Sequence, residues 1–201
     1  MAKVYTGASM SIDGYISGPD DTGFDQLFKW YSNGDVELEM STPEIPFKLT
    51  KQSAEYFTRV LNDTGALVCG RHLWNFTNAW GGKHPLGTPV VVLTHSVPDG
   101  WPQEGEYFTF VTEGIEAAVA KATELANGKN VGLNSGQIAS QALEAGLIDE
   151  VLVDLVPVLL GAGTPFFSGL SKRPVVLDGP IELVQGKDVT HLRYKVIGQP
   201  Q

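Results

Sequence analysis

At 201 residues with 42% hydrophobic side chains, and with no Pro/Ser-rich linker to divide it, the chain is expected to bury one good core as a single domain spanning 1–201. A net charge of -9, from 23 acidic and 14 basic residues, argues against a nucleic-acid or anionic-membrane surface, which would need a basic stripe; a phosphorylated small molecule needs only a local basic spot. Cys69 stands alone, so neither a disulfide framework nor a metal-cysteine cluster is expected, and with no leader segment or spanning apolar run a cytoplasmic location fits.

The first apolar stretch, Val4 to Met10, predicts a buried strand, and Asp13-Gly14 turns the chain before Tyr15 and Ile16. Gly18 to Pro46 is an irregular loop in which Phe24, Leu27, Phe28 and Tyr31 are spaced for one or two helical turns. Thr50 to Asn62 carries Ala54, Phe57, Val60 and Leu61 on a helical period, with Thr50 as its cap. Ala66 to Cys69 is the next strand, and Gly70-Arg71 leads into a short helix holding Leu73, Trp74 and Phe76. Pro89 to Leu93 and Glu106 to Val111 are further strands, followed by an amphipathic helix from Ile115 to Ala126 that stops at Asn127-Gly128.

The segment from Asn130 to Phe167 is the most informative. Val131 to Leu133 is a strand, Ser135-Gly136 a tight turn, Gln137 to Glu144 a helix, and the apolar run Val151 to Leu160 a second strand that ends in another Gly-rich turn. That is the wiring of a parallel βαβ unit, and an anion is welcome at the helix start because its first N–H groups lack intrahelical partners. Ser135 is expected to cap the helix or donate its hydroxyl, while the lack of a side chain at Gly136 lets a pyrophosphate approach the backbone. Ile181 to Val184 and Thr190 to Ile197, joined by Gly186-Lys187-Asp188, form a terminal hairpin. The whole predicts an α/β protein with a central, mostly parallel mixed sheet, helices on both faces and a C-terminal antiparallel hairpin.

Three strand ends share a character. Cys69-Gly70-Arg71-His72, Leu93-Thr94-His95-Ser96 and Leu133-Asn134-Ser135-Gly136 place small, hydroxyl or cationic residues where a buried strand stops, the edge at which open α/β sheets collect ligands. Together they point to a dinucleotide whose phosphates are divided among the loops, with Arg71 able to offer one of them two N–H bonds.

These segments resemble the RibD C-terminal reductase family, a branch of the dihydrofolate reductase fold. The resemblance rests on Ala8-Ser9-Met10-Ser11-Ile12-Asp13-Gly14-Tyr15-Ile16, on Cys69-Gly70-Arg71, on Gly146-Leu147-Ile148-Asp149-Glu150, and most specifically on the run from Pro157 through Leu159-Leu160-Gly161-Ala162-Gly163 to Phe167. It implies a dihydrofolate reductase-like domain, an NADPH-dependent reductase and a homodimer; members include the enzyme that reduces the ribosyl group of a pyrimidine intermediate in riboflavin synthesis. Carried over residue by residue, Gly70, Arg71 and His72 match the phosphate turn, and Leu93, Thr94 and His95 the strand end that meets the adenosine half. Asn134, Ser135 and Gly136, with Gln137 opening the helix, match the pyrophosphate turn, and Ala8 and Ile16 the nicotinamide contacts. The family commonly has two adjacent glycines where this chain has Ser135-Gly136, so the serine is expected to narrow the approach.

Hydride transfer needs the acceptor carbon at about 3–3.5 Å and a proton source. Asp13, after the first strand, is one candidate catalytic carboxylate, although it also suits a turn. Asp154 is the other, because a charge inside an apolar strand needs a partner or a pocket. Trp30, Trp74, Trp80 and Trp101 are expected as core or interface anchors; Phe28 and Trp30, with Pro157, also suit the substrate mouth, where the related fold keeps a mobile lid. The four histidines lack metal-ligand spacing, so no metal is expected, and neither a Rossmann fingerprint nor a Gly-x-Ser-x-Gly elbow occurs. Two readings remain open: a reductase of a small polar substrate, either a ribosylaminopyrimidine or a pterin-like heterocycle, and a non-catalytic nucleotide-binding module on the same fold.

Overall fold

A computed structural model describes residues 2–42, 47–101, 107–171 and 173–198. Its main strands are β1 (Val4–Ser11), β5 (Thr64–Gly70), β6 (Val90–Leu93), β7 (Phe108–Val111), β8 (Asn130–Leu133), β9 (Glu150–Val156), β11 (Val176–Gln185) and β12 (Thr190–Gly198). The short strands are β2 (Tyr15–Ser17), β3 (Val36–Leu38), β4 (Phe47–Leu49) and β10 (Thr164–Pro165). The helices are α1 (Phe24–Leu27), α2 (Lys51–Asp63), α3 (Arg71–Phe76), α4 (Ile115–Leu125) and α5 (Gln137–Glu144).

Eight strands form one sheet in the order β11-β12-β9-β1-β8-β5-β6-β7. Pairing is parallel from β9 through β7, and β12 and β11 close the sheet as an antiparallel hairpin. The predicted βαβ unit is present as β8-α5-β9, but its two strands are not neighbours, because β1 is inserted between them with parallel pairing on both sides. A central position is open to β1 because it can bury both of its faces.

Strand alternation sends successive side chains to opposite faces. One face carries Ala66, Val68, Val91, Val111, Val131, Leu133, Val151 and Val153 under α4 and α5, in a core made of hydrocarbon. The opposite face holds two clusters. Trp74, Val90, Val92 and Phe108 pack beneath α3, and Leu27, Trp30, Phe47, Leu49, Ala54 and Val156 pack beneath α1 and α2. Each fully buried Val or Leu contributes about 1.5–3 kcal/mol, so the uninterrupted Val90-Val91-Val92 run commits β6 to the interior on both faces.

Two corrections belong here. The irregular loop predicted from Gly18 to Pro46 contains β3, which pairs antiparallel with β4; three-residue strands with polar neighbours are too short for alternation to reveal them. Ser135 does not cap α5, whose N-cap is Gly136 with no side-chain hydrogen bond. The predicted loop end Pro46 and strand start Glu106 lie outside the described residues. Among the described residues no helix is long and apolar enough to cross a membrane.

Candidate functional site

Parallel pairing brings the carboxyl ends of β1, β5, β6, β8 and β9 to one edge of the sheet. Gly70 ends opposite Leu93, Val68 opposite Leu133, and the Asn134 N–H donates to the Val68 carbonyl at 2.9 Å. The three turns singled out in the sequence are therefore neighbours. Arg71 ties two of them together: its Nη1 donates to the Ser96 carbonyl at 3.2 Å, its Nε donates to Asn75 Oδ1 at 2.8 Å, and the guanidinium lies over the Trp74 ring at 5.2 Å. Thr94 is buried and its hydroxyl donates to the Ser96 carbonyl at 2.9 Å, whereas His95 is exposed. His72, at the start of α3, pairs with Asp21 at 2.8 Å, which draws the 19–21 segment against α3.

The third turn is shaped by Gly136, whose φ of 77° and ψ of -132° fall where a side chain is not tolerated. A Cβ built there would stand 3.6 Å from Thr164 and 3.7 Å from Ile16, so these two residues flank the start of α5. Ser135 is 3% exposed, and its hydroxyl pairs with the Thr6 hydroxyl at 3.2 Å. It is therefore directed into β1, and does not narrow the approach as its position in the sequence suggests. The Gly136 N–H is engaged by the Phe166 carbonyl at 2.8 Å; the next backbone N–H groups, from Gln137 on, open the helix without a side-chain cap. Ala8 packs at the margin of the α4–α5 core.

Asp13 sits in the β1–β2 turn and is exposed. The Ser11 hydroxyl donates to its Oδ1 at 2.6 Å, and the backbone N–H groups of Leu160 and Gly161 donate to Oδ1 and Oδ2 at 3.1 and 2.7 Å. These bonds, Ser11 foremost, hold its carboxyl below the usual carboxylate range. The carboxylate fastens the loop after β9 to the turn after β1. Gly163 completes the strap, since a Cβ there would collide with the Ser17 carbonyl at 1.9 Å.

The second group of polar residues lies on the α2 face of the sheet. Register places Ser9, Asp154 and His191 side by side on β1, β9 and β12. Asp154 Oδ1 pairs with His191 Nδ1 at 2.6 Å, and His191 Nε2 with the Ser53 hydroxyl at 2.9 Å. The imidazole is fully buried between Trp30, 5.0 Å away edge-on, and the stacked ring of Tyr56 at 4.5 Å. Trp30 Nε1 donates to the Ser9 hydroxyl at 3.0 Å. Burial, then the Asp154 charge, raises the Tyr31 and Tyr56 phenols well above their ordinary range.

Trp30 is 1% exposed, so it backs this cluster from inside the core, whereas Phe28, stacked on Tyr31 at 5.1 Å and 38% exposed, and Pro157 reach the surface. Apart from Ala8, Asp13, Phe28 and Pro157, placed above, the sequence-derived residues fall into two groups. Ile16, Gly70, Arg71, His72, Leu93, Thr94, His95, Asn134, Ser135, Gly136 and Gln137 lie along the carboxyl edge. Asp154 and Trp30 belong to the polar cluster on the α2 face. Sequence reasoning missed His191, Ser53 and Ser9. The available signal was a histidine alternating with Leu192 and Tyr194 in a strand, one residue off the apolar register.

A profile described as the RibD C-terminal domain matches residues 2–191. The YwjB protein of Bacillus subtilis, which carries no assigned role, is 31% identical over 108 residues, or 53% of this chain and 60% of that protein, so the match spans less than two thirds of the relative. A structure from Shewanella sp. PV-4, named for riboflavin biosynthesis, superposes over 98% of this chain and 99% of its own with a TM-score of 0.68 at 20% identity. A diaminohydroxyphosphoribosylaminopyrimidine deaminase/5-amino-6-(5-phosphoribosylamino)uracil reductase from Thermotoga maritima superposes at TM-score 0.59 and 13% identity, and Acinetobacter baumannii RibD at 0.60 and 14%. In both, 98% of this chain is covered but only 57% and 58% of the other. With its sheet order, its hairpin and nearly its whole length matched, the chain belongs to the RibD C-terminal domain family and has its dihydrofolate reductase-like fold.

Proposed function

We propose that the chain is an NADPH-dependent reductase of a small polar heterocycle, a ribosylaminopyrimidine or a pterin-like compound. Family membership supports an oxidoreductase. The observation that carries the cofactor is the uncapped start of α5 at Gly136, flanked by Ile16 and Thr164 and one strand removed from the Gly70-Arg71 turn. Gly136 adds no side chain of its own and the backbone N–H groups from Gln137 on lead into the helix without a side-chain cap, which suits a pyrophosphate on backbone donors. Gln137 would hold it there through its backbone N–H and Asn134 through its side chain, with Gly136 allowing the close approach; Gly70, Arg71 and His72 would hold a further phosphate, Leu93, Thr94 and His95 the adenosine half, and Ala8 and Ile16 the nicotinamide. When bound, the nicotinamide supplies hydride.

The chain's own residues do the rest. Asp154, an ionisable group amid apolar strand neighbours, binds a donor on the substrate and stands on the proton side of the reduction. Asp13 acts through the turn it fixes, keeping the strap between Leu160 and Gly163 closed over β2. Phe28 and Pro157 line the mouth. For a homodimer the support is the edge strand β11, which leaves both Ile181 and Leu183, two residues apart, exposed.

The test is incubation of the purified protein with NADPH and a panel of ribosylaminopyrimidines, dihydrofolate and simple carbonyls, followed by the absorbance of the reduced nicotinamide. Oxidation dependent on one member supports the reading. Tight NADPH binding with no oxidation across the panel would make the chain a nucleotide-binding module instead.

A further inference from the structure

We propose that Ser53 and His191 are positioning residues that hold the Asp154 carboxylate by one oxygen and leave the other for substrate. The inference rests on the reading above that Asp154 meets substrate, and the geometry adds how the group is held. The Thr50 hydroxyl donates to Ser53 Oγ at 3.2 Å, so the hydrogen of Ser53 has His191 Nε2, 2.9 Å away, as its acceptor. An imidazole that accepts at Nε2 is neutral and carries its proton on Nδ1, and that N–H donates to Asp154 Oδ1 at 2.6 Å. The donors therefore run in one direction, from the N-cap of α2 to the strand carboxylate.

The chain is rigid as well as directed. Ser53 is 1% and His191 0% exposed, and the ring is clamped between Trp30 and Tyr56. Asp154, by contrast, keeps 14% of its side chain exposed, and among the described residues its Oδ2 has no hydrogen-bond partner. A carboxylate fixed on one side and open on the other is a prepared acceptor for a single N–H or O–H. The titratable and charged groups around the pair are Tyr31 and Tyr56 above it, Tyr5 on β1, and Arg193 with Glu182 beside it on the hairpin.

Two measurements test the assignment. In the full-length protein labelled with ¹⁵N-histidine, His191 is expected to be the neutral tautomer protonated at Nδ1. An imidazolium, or a proton on Nε2, overturns the proposal whether or not a substrate is known. With the substrate that the NADPH panel yields, His191→Leu should lower kcat by about 10- to 100-fold while NADPH affinity stays within about twofold. His191→Asn, which keeps a donor where Nδ1 stood, should recover most of that loss, and Ser53→Ala should lose an intermediate amount if His191→Leu does not fold. Full turnover in Asp154→Asn would sink the substrate reading itself; loss in Asp154→Asn with full turnover in His191→Leu and Ser53→Ala would sink only the positioning role.

Discussion

The two ends of β9 each bury a carboxylate on the same face of the sheet, and they are treated in opposite ways. Glu150, at the start of the strand, is 2% exposed and is matched by two cations: Lys3 bonds one oxygen, and Arg193 Nε donates to the other at 2.5 Å. Burial works to raise its carboxyl, and the two cations overcome that and hold it below its ordinary range. Asp154, about 13 Å further along the strand, receives a single histidine and leaves an oxygen open. A carboxylate with a cation on each oxygen organises the fold. One with an acceptor to spare, and with 14% of its side chain exposed, has capacity that the fold does not use.

The sharpest way to break this contrast is to neutralise both groups. Asp154→Asn keeps the size and an oxygen, so the thermal midpoint should move little, whereas turnover should fall by about 10²- to 10⁴-fold if the group serves the proton side of the reaction. Glu150→Gln should do the reverse. Removing one partner of a buried ion pair costs about 3–5 kcal/mol, and the lower end applies because Lys3 remains 49% exposed. Chemical denaturation combined with steady-state rates separates the two. Equal loss of stability in both variants, with unchanged turnover per folded molecule, would erase the distinction.

Reading the sequence anticipates the two ends of β9 unequally. Asp154 is visible because a charge interrupts Val151, Leu152, Val153, Leu155 and Val156, and burial of a lone charge is costly enough to demand an explanation. Its partner is not visible. His191 is 37 residues away and Ser53 is 138 residues from His191, and neither spacing has a local period. The carboxyl edge was more legible, since Gly70-Arg71 and Ser135-Gly136 follow buried strands directly, and parallel pairing then makes them neighbours. What escaped was the insertion of β1 between β8 and β9 and the direction of Ser135, because both depend on which strand fills the gap. Trp30 is legible as a core anchor, and only its second reading, as part of the lid, gives way. An aromatic residue in an irregular loop looks like lid, yet Ser9 gives its indole N–H a buried partner and draws it into the core.

The same contrast between matched and open groups applies to two arginines. Arg193 spends its guanidinium on Glu150 and Glu182, while Arg71 uses two nitrogens on Asn75 and Ser96 and has no carboxylate partner among the described residues. If an open charge marks a ligand, Arg71→Ala should remove a charge-assisted bond of about 1.5–3 kcal/mol, or about 10- to 150-fold in NADPH affinity. Calorimetry at fixed salt measures it, and a dissociation constant unchanged in Arg71→Ala would assign the guanidinium to linking the β5 and β6 turns alone.

The smallest effect concerns the histidines. His191 is buried with a carboxylate, whereas His84 sits beneath Trp80 at 4.6 Å and, among the described residues, accepts a hydrogen bond at Nδ1 from the Leu86 N–H alone, and burial lowers its pKa to about 4. In the unfolded chain the same imidazole titrates near about 6.5. Between those values the unfolded state holds a proton that the folded state does not, so this group's contribution is fully present above about pH 6.5 and is lost as pH falls toward 4. Urea midpoints taken between about pH 8 and 5 should therefore decline on the acid side, with the unfolded state taking up at most one additional proton through this site. His84→Asn, which retains an acceptor for Leu86, should flatten that decline. A variant as steep as the parent would mean that His84 charges inside the fold.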